Sequence, residues 1–270
     1  MHQKLGGANT ASAVWMKIYG VLIAAPALYA YGLPDQPMFY ILTGVAAIIW
    51  CVNDLIYFNA VKNHGASLLS RLSPLGIILG FIAWFFVKPE LLALYLQDKP
   101  RFIAICAIIL LSVISAIALK SCPFSRSALK SIWFVIVGAT IGILLVKSAV
   151  DHAPAEQGVF GYVGFEAGIM LAFYTVYFSF FRRGAFGGVF SRTGLKTGGI
   201  VGGLLVLGVI TRIYAQKNVD HPAFVSLVSM LDVVWLLILT RISGWKDDSN
   251  KIAGFGIVLA ALALAVLKIR

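Results

Sequence analysis

Long apolar runs separated by short polar corners set the pattern of this chain. In order they are Val14–Gly32, Met38–Val61, His64–Val87, Arg101–Leu119, Ser131–Val150, Val159–Phe181, Thr197–Ala215, His221–Thr240 and Lys251–Ile269. Each is close to the ~20 residues that an α-helix needs to cross a hydrocarbon core. The runs are continuous rather than alternating, which excludes the two-faced strands of a membrane barrel. The pattern predicts an all-α polytopic membrane protein with nine transmembrane helices. Lys88–Lys99, amphiphilic and charged at both ends, predicts an interfacial helix after the third span. Pro74 predicts a kink within that span.

Two corners echo one another, Tyr57–Trp84 and Tyr214–Thr240. In each, a Tyr precedes a His by two helical turns (Tyr57 and His64, Tyr214 and His221). A helix breaker and an Ala follow, then a Ser-bearing apolar run with a Trp further on. Such an echo predicts an internal duplication. The polar linker carrying Pro123 divides the chain into a repeat over 1–122, with four spans, and a repeat over 123–270, with five. Matching the corners pairs the first span with the sixth, the second with the seventh, the third with the eighth and the fourth with the ninth. The fifth is left without a counterpart. A repeat of five spans is odd, so two such repeats would lie inverted across the bilayer.

Composition narrows the class. The chain is 60% hydrophobic and only 12% charged, with a mean hydropathy of +0.91. A soluble domain carries about 25% charged residues. The lipid bilayer is therefore the first partner. The net charge of +11 does not imply nucleic acid, because the basic residues fall in the short loops. Most Lys and Arg fall on the side of the N-terminus, which predicts a cytoplasmic N-terminus. Cys51 and Cys106 lie inside apolar runs and read as small packing residues. GxSxG, HExxH and Walker A motifs are absent, as is an Asp-rich metal cluster. The chain therefore reads as a non-enzyme without cofactor.

The layout resembles the drug/metabolite transporter superfamily of the EamA type. The resemblance is carried by Asn59-Ala60 through Ser73-Pro74, by Pro222-Ala223-Phe224-Val225-Ser226 through Asp232-Val233-Val234-Trp235, and by Ala253 to Leu259. It covers nearly the whole chain on loose motifs. It implies ten helices in two inverted five-helix repeats, with His2-Gln3-Lys4-Leu5 standing where the tail of a missing first helix would be. Glu90 and Asp247 are only approximate matches to the family's acidic positions. The family's layout puts the two ends of a shortened chain on the sides opposite to those the charge bias predicts. The implied function is secondary-active transport or export of a small polar or amphipathic metabolite. Its site would lie near the bilayer midplane between the repeats. Separately from the resemblance, the depth of Asp232, Asp54 or Glu166 in their spans suggests protons as the coupling ion. The implied location is the plasma membrane (the inner membrane of a bacterium). A non-transporting subunit or truncated product, or a lipid-carrier enzyme, are the alternatives.

Ionisable groups inside spans carry the chemistry, since a charge at the bilayer centre costs about 2.5–3.5 kcal/mol on insertion scales. Asp232 shares a face with Ser229 and Trp235. It reads either as a protonatable or substrate-contacting carboxylate, or as half of a buried ion pair with Arg71 or Arg212. Asp54 is flanked by Asn53, with Trp50 and Tyr57 at helical spacing. Glu166 shares its helix with Tyr174. These ten residues, Arg71 included, are the candidate substrate-binding or coupling positions. Lys17 interrupts the first span. Lys147 and Arg212 lie near span ends and are expected to reach towards the interface. His64 and His221 are expected to cap or pack their corners. Gly138/Gly142, Gly164/Gly168 and the pairs in Gly198–Gly203 read as close helix contacts, within the chain or at a homodimer face.

Overall fold

The fold is that of a computed structural model, which describes residues 8–64, 74–118, 126–181, 188–231, 235, 238, 242 and 250–267. The described residues are helical and connected by turns: α1 (Ala8–Tyr31), α2 (Pro37–His64), α3 (Leu75–Val87), α4 (Pro89–Gln97), α5 (Lys99–Ala118), α6 (Arg126–Asp151), α7 (Ala155–Phe181), a π-helical segment (Gly194–Gly198) running into α8 (Gly199–Lys217), α9 (Pro222–Ser229) and α10 (Lys251–Leu267). Among the described residues six spans are long and apolar enough to cross a membrane, in α1, α2, α5, α6, α7 and the π segment with α8. The α3–α4 pair makes a seventh if taken as one bent span. These are the apolar helices of an integral membrane protein.

Residues 65–73 of the third run lie outside the described residues, and with them the kink expected at Pro74. Pro74 stands immediately before α3. There its missing N–H would have had no partner anyway. At the other end, Lys88 precedes Pro89, and a residue before proline is steered out of the helical region. Lys88 accordingly adopts φ −130° and ψ 80°, and α4 leaves α3 at 105°. The segment expected to be an interfacial helix is thus α4. Of the eighth run, α9 covers only Pro222–Ser229, and much of the remainder lies outside the described residues. Of the ninth, α10 covers Lys251–Leu267, 17 residues, at the short end of the length that crosses a bilayer.

Contacts gather the helices into two compact units. Unit 1 comprises 1–56 and 141–220, and unit 2 comprises 57–140 and 221–270. Each draws on both halves of the sequence.

In unit 1, α1 packs on α7 and α8. Small residues make the approach possible, as they do where membrane helices meet closely. A Cβ on Gly20 would lie 2.9 Å from Ala167 Cβ, and one on Gly164 would lie 2.8 Å from Ala24 Cβ. On the other side, Gly198 and Gly202 face Ala11, Trp15 and Met16. These predicted small-residue positions are occupied within the chain, whereas Gly168 has no neighbour within 4 Å of a would-be Cβ. At the end of α1, Gly32 takes φ +87°. Its N–H donates to Leu28 O at 2.9 Å, closing the helix in a left-handed cap. Lys217 Nζ donates to Val150 O and Ala153 O, both at 2.8 Å, and so satisfies carbonyls at the end of α6.

In unit 2, α5 packs along α10, and α3 packs on α9. The bend between α3 and α4 is filled with aromatic rings. Phe81, Phe85, Tyr95 and Phe102 pack edge-on or stacked around His221 and Phe224. His221 is fully buried. Its Nδ1 accepts from Ala223 N–H at 3.3 Å, capping α9. Because a backbone N–H can only donate, Nδ1 carries the lone pair and Nε2 the proton. Nε2 then donates to Phe81 O at 3.1 Å. The expected capping role is therefore met at His221; the side chain of His64 lies outside the described residues. His221→Phe keeps a ring in the cage and loses both hydrogen bonds. We expect it to lower stability by about 1–3 kcal/mol, read as a fall in the melting temperature of the purified protein.

Candidate functional site

The inward faces of α1, α2 and α7 hold the polar residues of unit 1. On α2, Ile41, Val45, Ile48 and Val52 are exposed and form one stripe at helical spacing, the side suited to lipid. Thr43, Ala47, Trp50 and Asp54 follow the same spacing on the opposite side. On α7, Tyr162, Glu166, Met170, Tyr174 and Phe178 recur every fourth residue and are buried. On α1, Ala11, Val14, Lys17 and Ala24 form the buried side.

Two polar contacts join these faces. Lys17 Nζ meets Glu166 Oε1 at 2.6 Å, with side chains only 7% and 9% exposed. The hydroxyl of Tyr174 donates to Asp54 Oδ2. Asp54 is half-buried, and Lys17 and Glu166 lie within electrostatic range of it. Trp50 lies against Gly142, where a Cβ would come within 2.7 Å of the indole. The glycine leaves the space that the ring occupies. Trp50 is also the polar neighbour of the Tyr162 hydroxyl. An indole N–H only donates, so the Tyr162 proton has no acceptor among the described residues. The buried Thr43 Oγ1 and Asn53 Oδ1 also lack hydrogen-bond partners there. Such polar atoms are costly to bury unsatisfied.

The structure thus brings together Asp54, Trp50, Glu166 and Tyr174 of the candidate set, and adds Lys17 and Tyr162; Asn53 is buried next to Asp54 in the sequence. The signal for Lys17 was visible as a charge interrupting an apolar run; its partner, 149 residues away, was not. Tyr57 is 38% exposed and Trp235 62% exposed. Ser229 donates its hydroxyl to Val225 O at 2.8 Å within its own helix. Asp232 and Arg71 lie outside the described residues. Lys147 departs from the expectation that it reaches out to the interface. It is buried and pairs with Asp151 at 2.7 Å, one turn further along α6, the i, i+4 spacing that lets two side chains on one helix meet. Cys51 is buried in the core of unit 1, as expected of a packing residue.

What the cluster can do follows from its charges. A buried Lys–Glu pair is neutral as a unit, while a second carboxylate beside it can gain or lose one charge at modest structural cost. Among the described residues no three His, Cys, Asp or Glu side chains gather as a metal site would require. Neither a family model nor a curated protein matches this chain.

Proposed function

We propose that the chain is a secondary-active transporter or exporter of a small polar or amphipathic metabolite in the plasma membrane. Its architecture would be nine spans in two inverted repeats of the EamA type, with no enzymatic step. The observation that carries this reading is the polar cluster of Lys17, Glu166, Asp54 and Tyr174 at the meeting of three apolar helices. Ionisable groups within membrane helices mark substrate and ion pathways. Two of the helices belong to the first sequence half and one to the second, as a site built between repeats requires.

The helix pairs matched in the sequence add support. The first and sixth spans are α1 and α7, the third and eighth contain α3 and α9, and the fourth and ninth contain α5 and α10. Each of these pairs packs together within one unit. In the absence of a nucleotide-binding motif, transport would run on a gradient.

The test is uptake of a labelled metabolite extract by proteoliposomes under an imposed pH gradient. Wild-type protein should accumulate at least one compound, and Asp54→Asn should lose the gradient-driven component while still exchanging that compound. Failure of wild type to accumulate any compound would overturn the reading. Undiminished accumulation by Asp54→Asn would remove Asp54 from the coupling.

A further inference from the structure

We infer that Asp54 is the one exchangeable proton site of the cluster, and that Lys17 holds Glu166 permanently out of that role as its resident counter-ion. The role of this site in coupling rests on the transporter reading; its protonation does not. The titratable groups around Asp54 are Lys17 from α1, Cys51 from its own helix, and Glu166 and Tyr174 from α7. With the carboxyls ionised, Lys17 supplies one positive charge against the two negative charges of Glu166 and Asp54.

Geometry decides which carboxylate Lys17 neutralises. Its ammonium sits 2.6 Å from Glu166 Oε1. Asp54 receives a neutral hydroxyl instead, from Tyr174. An uncompensated charge beside apolar helices is costly, and among the described residues Lys17 is the one cation that acts on Asp54, so a proton is the charge that neutralises it.

Access points the same way. Glu166 is sealed, whereas Asp54 is half-buried. Tyr174 occupies Oδ2, which leaves Oδ1 to take the proton. When it does, the carboxylate and an aqueous proton become a neutral carboxyl whose Oδ2 still accepts from Tyr174. Loading and unloading therefore require no hydrogen bond to break. The Tyr162 hydroxyl, 3% exposed and without an acceptor for its proton, stands one turn before Glu166.

Infrared difference spectroscopy of the detergent-purified protein, stepped in pH, reads buried carboxyl groups directly and needs no transport. Wild type should show one buried carboxyl stretch that grows as pH falls. Asp54→Asn, which keeps an acceptor for Tyr174, should lose it, and Asp54→Glu should shift it. The double variant Lys17→Met with Glu166→Gln, which removes the ion pair as a neutral unit, should retain it. Lys17→Met alone should add a second stretch from the unpaired Glu166. Persistence of the wild-type stretch in Asp54→Asn, its loss in the double variant, or its absence from wild type would each overturn the inference. Proteoliposomes that take up no metabolite, beside spectra that behave as expected, would refute the transporter reading and leave the proton site standing.

Discussion

Lys17→Met is expected to destabilise the protein by about 3–5 kcal/mol, the penalty for breaking a buried ion pair from one side. The effect is large because Glu166 is 9% exposed and would be left buried without the ammonium that pairs with it. Removing both charges should behave differently. A buried pair gains little net stability over well-packed apolar residues of similar volume, since its attraction mostly offsets the desolvation of both ions. Lys17→Met combined with Glu166→Leu should therefore recover most of the loss. Chemical unfolding of the single and double variants in mixed micelles measures this as a coupling energy. Additive losses would mean that the two side chains do not act as a pair.

The second large effect concerns α1 and α8. A Cβ at position 202 would lie 2.7 Å from Met16 N and 2.9 Å from the carbonyl carbon of Trp15. Both are backbone atoms, so no side chain can turn aside to admit the methyl group. Gly202→Ala must move α8 off α1, which we expect to cost about 1–3 kcal/mol, and Gly202→Val more. Gly208→Ala, on the same helix with nothing within 4 Å of its Cβ position, is the control. It should be neutral, or slightly stabilising through the better helix propensity of alanine. Equal melting temperatures for Gly202→Ala and Gly208→Ala would show that α1 and α8 do not approach this closely.

The glycines at 164, 198 and 202 could be read as sites of close approach because spacing on one helix is local information. Which helix they approach is not local, and only the fold supplied it. The same division runs through the candidate site. Trp50 and Asp54 share a helix face by their four-residue spacing, which the sequence states directly. Tyr174 reaches Asp54 across 120 residues, and no periodicity encodes that. Lys17 was legible as an anomaly and Glu166 as an acid in a span, but their attraction was not, because any of several bases could have answered the acid. The break at Lys88-Pro89 was legible from the charged, amphiphilic connector that follows the third run. The angle of 105° at which α4 leaves α3 was not, because it is an effect of backbone sterics that hydropathy does not register.

The aromatic corner of unit 2 also sets an order of assembly. Phe81, Phe85 and Tyr95 are synthesised early, yet the ring they surround is His221, which follows Phe81 by 140 residues. At the usual ~5–20 residues per second of synthesis, the wait is on the order of 10 s. Through that interval the rings of the bend have only one another. The first half of the chain is made with this corner open, and the start of α9 is what closes it.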